Sequence, residues 1–217
     1  MAPMTDPRSQ PDYLQPYLDA VESSGAGFDA TLWSSRRGQV RRFDVLLELS
    51  GVAETGCGSM LDLGCGVGDL ARHLCQRSIP FNTYLGIDAV EEMVEAARSI
   101  EDSRCRFLVA DPVRQPECLD EAGVDWIFIS GTLNAMEEQT ARGLVDRAFE
   151  AARIGIAFNF LSNRPHPEWD ERDLSPARRF ATAEWVDWAL SRTPLVRFTQ
   201  AYYRGHDATI SMCRTSD

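Results

Sequence analysis

The sequence predicts an α/β protein: a seven-stranded, mostly parallel sheet with an antiparallel last strand, helices on both faces and a helical N-terminal cap. Three observations carry that reading. Short apolar, β-branched runs alternate with segments of helical period between about residues 59 and 160. A Gly-rich turn joins the first run to the first helix of that series. Two further strand-like runs near the C-terminal end are separated by a Gly-containing turn and suit an antiparallel pair at the sheet edge. At 217 residues the chain is long enough for one domain with an added lobe and needs neither disulfides nor a structural metal to close a core.

In chain order, residues 1–12 read as a flexible tail, since Pro3, Pro7 and Pro11 interrupt any helix. Residues 13–55 read as a helical cap of two or three helices, in which Val40, Phe43, Leu46 and Leu47 recur at helical spacing. The main domain is expected over residues 56–217. Its strands are placed at 60–63, 83–87, 106–110, 124–130, 154–160, 195–202 and 208–213. Helices are expected through Leu70 and Leu74, through Val90, Met93, Val94 and Ala97, through Ala141 to Ala152, and from Thr182 through Trp185, Trp188 and Leu190. Between the fifth strand and the last helix, residues 161–181 form a polar insertion with three prolines and the acidic run Glu168 to Asp173, expected on the substrate side.

Composition narrows the chemistry. The 22 basic residues are all Arg, so Schiff-base, P-loop and Ser-Lys mechanisms are closed to this chain. A net charge of −11 repels a phosphate backbone, which makes a nucleic-acid partner unlikely. Six scattered cysteines without a C-x-x-C pair, and three histidines off zinc-ligand spacing, give no metal site. With no apolar run near membrane length and no secretory h-region, a soluble cytoplasmic protein is expected, with no membrane partner. Oligomeric state has no sequence signal.

The Gly-rich turn is Leu61-Asp62-Leu63-Gly64-Cys65-Gly66-Val67-Gly68-Asp69-Leu70, and Asp88 closes the next strand. An acid at that strand tip suits the hydroxyls of a ribose lying across the sheet. A dinucleotide fingerprint would need Gly where Asp69 stands, and Asp69 would put negative charge at a helix N-terminus that should face a pyrophosphate. A nicotinamide oxidoreductase is therefore disfavoured, and a cationic ligand fits better.

D-x-G-x-G-x-G, the acid after the second strand and Asp111 after the third together resemble the class I S-adenosylmethionine-dependent methyltransferases, over roughly residues 60–160. The resemblance implies a Rossmann-like fold that binds S-adenosylmethionine and releases S-adenosylhomocysteine. It implies that Gly64, Cys65 and Gly66 run beside the methionine part of the cofactor, with Asp62 ordering the turn. Asp88 would hold the ribose, Ala89 and Met93 would flank the adenine, and Asp111, followed by Pro112, would accept from the adenine amino group. Ser130 and Gly131, ending the fourth strand, would lie beside the reacting methyl. Thr132 and Asn134 follow them in place of the motifs of base-modifying methylases.

The resemblance points to a small-molecule acceptor, of the kind met in secondary metabolism, with a protein or carboxylate methyltransferase or a non-catalytic cofactor-binding module as alternatives. From the Arg-rich stretch before the first strand, Arg37, Gln39 and Arg42 are candidates for the cofactor carboxylate. Where a general base is needed, His166 and His206 are placed better than His73. Trp33, Asn159, Trp169, Tyr202 and Tyr203 complete the candidate acceptor contacts.

Overall fold

The computed structural model describes residues 11–169 and 172–215. The expected tail thus falls almost wholly outside the described residues. Helix α1 (Gln15–Ser24) opens the described chain, and α2 (Arg36–Ser50) follows a short 3-10 turn at Asp29–Thr31. Ser35 starts α2 by accepting the Gly38 N–H at 3.1 Å, and Gly51, with φ at 86°, ends it. A single turn, α3 (Val52–Thr55), leads into the sheet.

The first five strands alternate with helices: β1 (Cys57–Leu63), α4 (Asp69–Gln76), β2 (Phe81–Asp88), α5 (Glu91–Ala97), β3 (Cys105–Val109), α6 (Glu117–Ala122), β4 (Trp126–Ile129), α7 (Glu138–Ala151) and β5 (Gly155–Leu161). Then come α8 (Thr182–Arg192), β6 (Val196–Thr199) and β7 (Asp207–Cys213). The sheet order is β3-β2-β1-β4-β5-β7-β6. Strands β1 to β5 pair in parallel, and β7 wedges antiparallel between β5 and β6. The strand order therefore reverses between β1 and β4, where parallel-sheet proteins open a crevice at the strand tips.

Both sheet faces are covered. On one, Leu144, Val145 and Ala148 of α7 and Trp185 of α8 pack on Ile127, Ile129, Ile156 and Phe158. On the other, Phe43, Leu46 and Leu47 of α2 and Leu70 and Leu74 of α4 pack on Met60, Tyr84 and Phe128. Segment 13–55, expected as a cap, thus divides. Helices α2 and α3 are sheet cover, because their apolar stripe is buried in the main core. Helix α1 buries none of its own residues and rests Tyr17, Leu18 and Val21 on a small cluster of Ala30, Val67, Val90 and Met93, above the tips of β1 and β2. Two expected apolar positions face outward instead: Val40 is 40% exposed and Leu190 53%, since each sits off its helix's packed stripe.

Strand β6 is shorter than the expected run. Tyr202 lies beyond it, and the chain turns back through a 3-10 turn at Tyr203–Gly205. Insertion 161–181 is tied down at both ends. Ser162 bridges Phe180, and the Phe180 N–H donates to the Leu161 carbonyl at 2.9 Å. No described helix is long and apolar enough to cross a membrane.

Candidate functional site

The turn after β1 is shaped by what lies across from it. Gly64 has φ at 74°, and a Cβ there would stand 2.1 Å from Thr132 Oγ1, which donates to the Leu63 carbonyl at 3.1 Å. Asp88 pins the far side, accepting the Gly66 N–H on Oδ2 at 2.8 Å and the Val90 N–H on Oδ1 at 2.9 Å. Burial pushes its carboxyl above the usual range, while those backbone donors pull it back. The residue that closes β2 therefore orders the turn that follows β1.

Asp62 lies beneath the same turn, 3% exposed, with the Tyr84 hydroxyl donating to Oδ2 at 2.6 Å. Burial raises its carboxyl to about 7; the Tyr84 bond opposes this, and the charges of Asp88 and Asp69 add to it. Asp69, first residue of α4, has its carboxylate engaged by Gln39 Nε2 at 3.1 Å, Arg72 at 3.4 Å and Arg36 at 3.6 Å. Asp111 accepts the Val113 N–H at 3.0 Å and, on its other oxygen, the Tyr13 hydroxyl at 2.7 Å.

These turns border a cleft that encloses, with the solvent at its mouth, about 930 Å³. Asp62, Gly64, Cys65, Gly66, Asp88, Ala89, Met93, Asp111, Pro112, Ser130, Gly131 and Gln39 line it, as do Trp33 and Thr132. Burial keeps the Cys65 thiol protonated, so its contribution is backbone and bulk. Helix α1 supplies Tyr17 to the same wall, and Tyr13, in the turn just before α1, joins it. Neither was among the sequence candidates, because α1 carries no motif.

A second cavity of about 1000 Å³ adjoins the first and shares Tyr17, Thr31, Trp33 and Gly131 with it. Trp33 stands so close to Gly131 that a Cβ there would meet its ring at 2.3 Å. Asn159 Oδ1 accepts the Gly131 N–H at 3.0 Å, and its Nδ2 donates to Ser130 Oγ at 3.1 Å, fixing the end of β4. Asn134 lines the cavity while holding the insertion through the Arg178 carbonyl at 2.6 Å. Residues 173–177 form the outer wall.

The structure moves several candidates elsewhere. Arg42, expected at the cofactor carboxylate, instead gives Nε and Nη2 to Asp207 at 2.7 and 2.8 Å, buried beneath Trp33, and lines the second cavity. Arg37 is exposed and lines neither cavity; only its backbone carbonyl is used, by the Tyr203 hydroxyl at 3.3 Å. Tyr203 packs against the Arg42 guanidinium from outside the cavities. Tyr202 is buried against Thr209 at 2.6 Å and is a structural residue. His166 is exposed beside Glu168 and lines neither cavity. Trp169 also lies outside them, stacked on His206 with ring centroids 4.0 Å apart. Of the two histidines only His206 lines the second cavity. Among the described residues no group of three or more His, Cys, Asp or Glu could hold a metal ion.

Residues 60–155 match the family model described as a methyltransferase domain. No curated protein matches the chain. Solved structures match at low identity. Magnesium protoporphyrin IX methyltransferase (ChlM) from Synechocystis PCC 6803 with bound SAM is 16% identical with a TM-score of 0.65, over 97% of this chain and 100% of that one. The N-methyltransferase NodS from Bradyrhizobium japonicum WM9, in complex with S-adenosyl-L-homocysteine, is 16% identical with a TM-score of 0.66, over 95% and 100%. The small RNA methyltransferase HEN1 is 14% identical with a TM-score of 0.63, over 82% of this chain and 25% of that one. At such identities the likeness is one of fold.

Proposed function

We propose, from the methyltransferase-domain match over residues 60–155, that the chain moves the methyl group of S-adenosylmethionine to a small-molecule acceptor by in-line displacement. The observation that carries this reading is the pair of adjoining cavities, which meet where Trp33, Gly131, Tyr17 and Thr31 belong to both. A donor in one and an acceptor in the other would face each other through that shared wall.

The residues of the first cleft fit the cofactor. Asp88 presents a half-buried carboxylate at the strand tip, suited to ribose hydroxyls, and Asp62 is a buried acid beneath a Gly-lined turn that leaves room for a thioether chain. Asp111, Ala89 and Met93 border the part suited to adenine, and Gln39 reaches the cleft from α2. The bound cofactor supplies an electrophilic methyl on a sulfonium. The chain's own work is positioning and exclusion of water, and positioning alone is worth much of the barrier in a two-reactant displacement. Four acids, Asp62, Asp69, Asp88 and Asp111, border the cleft and favour a cation over its neutral product.

A small acceptor suits a cavity walled by the insertion rather than an open groove. The net charge of −11 argues against a nucleic-acid partner, and six free thiols suit a reducing cytoplasm. Secondary metabolism is a setting compatible with such a site. Calorimetric titration with S-adenosylmethionine, S-adenosylhomocysteine and NAD tests the reading. Micromolar binding of both sulfur nucleosides, weakened roughly 100-fold by Asp88→Ala through loss of two charge-assisted bonds, is expected. Binding of NAD alone would overturn it.

A further inference from the structure

His206 is buried at the floor of the acceptor-side cavity, and its two ring nitrogens are not equivalent. Nδ1 lies 3.2 Å from Nη2 of Arg179. A guanidinium has donors and no acceptor, so Nδ1 must accept, and the ring proton must sit on Nε2. Nε2 has no hydrogen-bond partner among the described residues. One ring face is covered by Trp169, and Arg179 is itself anchored to the Ser162 carbonyl at 2.8 Å and the Trp169 carbonyl at 3.1 Å. Both the tautomer and the ring plane are therefore set by the fold.

Resting on the methyl-transfer reading above, we propose that His206 offers a fixed Nε2–H to the acceptor, recognising an oxygen lone pair of a carboxylate, and takes no proton from the nucleophile. Such an acceptor brings its methylated atom already unprotonated, as a carboxylate oxygen is at neutral pH. In the transfer, the lone pair of that atom forms the new bond to the methyl carbon while the carbon–sulfur bond pair returns to sulfur, so the charges cancel without a proton moving.

The surroundings keep the imidazole neutral. Burial, with Arg179, Arg42 and Arg172 facing it, lowers its pKa to about 4. Among the described residues the nearby carboxylates are engaged elsewhere: Asp207 is held by Arg42, Glu168, on the turn that carries Trp169, is paired with Arg204 at 2.7 Å, and Asp173, which lines the same cavity, accepts the Ser175 N–H at 2.9 Å. A base working near neutral pH would need the opposite environment.

Nitrogen-15 NMR of the histidine side chains in the full chain tests the proposal, with His206 assigned by loss of its signals in His206→Gln. The expected result is a neutral Nε2–H tautomer that persists below pH 5.5, together with a shift of the Nε2 resonance when benzoate is added with S-adenosylhomocysteine present. Arg179→Met should release the ring, raising its pKa by about one unit or more. An Nδ1–H tautomer, titration near 6.5 in the unmodified chain, or an Nε2 resonance unmoved by benzoate would overturn the proposal. Calorimetry with S-adenosylmethionine keeps the two readings apart. Cofactor binding beside an ordinarily titrating His206 sinks this inference alone, and a fixed His206 in a chain that binds no sulfur nucleoside sinks the methyl-transfer reading.

Discussion

The two cavities are made differently. The cofactor cleft takes most of its walls from strand-to-helix turns between Asp62 and Thr132, each turn following directly from the strand that positions it. The acceptor-side cavity joins α2, the end of β4, the insertion and the start of β7, and its central ion pair links residues 165 positions apart. The first site needs only a parallel sheet and glycines in the right places. The second exists only once distant segments have docked, which leaves it free to vary without disturbing the first.

The largest expected effect falls on the second site. Arg42→Ala leaves Asp207 buried and unpaired, and should cost about 3–5 kcal/mol in urea unfolding. Cofactor affinity should stay within about threefold, because Arg42 does not line the cleft. A parallel loss of cofactor binding would break the comparison. Gly131→Ala strikes the wall common to both cavities. With φ at 78° and the Trp33 ring in the way, it should cost about 2–3 kcal/mol and impair both sites, read as lower melting temperature and weaker cofactor binding together.

Asp62→Asn sharpens the contrast with the opposite sign. The folded chain holds a proton on Asp62 up to about pH 7, whereas the unfolded carboxyl releases it near 3.8, so folding stability falls as pH rises through that window. The variant lacks this loss and should be more stable than the parent at pH 8, by about 1–3 kcal/mol, with the difference vanishing near pH 4. Affinity for the cationic cofactor should drop while that for its neutral product changes less. Thermal melts at the two pH values and paired calorimetry check both halves. The smallest effect is Tyr13→Phe. It frees one oxygen of Asp111 and should tighten cofactor binding by less than about 1 kcal/mol, since a ligand amino group then meets no competitor there.

The same division decides what could be read from the sequence. Gly64, Asp88 and Asp111 could be singled out from the sequence, and they line one cleft because a turn must fit between strand and helix and the strand tips face the neighbouring turns. The alternation of apolar runs and helical periods likewise carried the sheet and its covering helices. Arg42 was legible as a functional candidate but not as Asp207's partner, because nothing in either segment marks the other. Tyr17 on α1 and Tyr13 just before it were missed for a related reason: α1 packs on a four-residue cluster and has no buried stripe of its own to betray its place. Trp169 drew notice as an aromatic in a polar insertion, yet only the fold shows that it backs His206.

The wedged position of β7 sets an order of events during synthesis. At roughly 5–20 residues per second, Asp207 emerges about 10–30 s after Arg42. By the end of that interval the nascent chain holds every strand from β1 to β5, while the guanidinium destined for the interior still waits in water without its carboxylate. The part of the chain that shapes the first cleft can therefore form early on the ribosome, and the second cavity closes only once β7 has emerged.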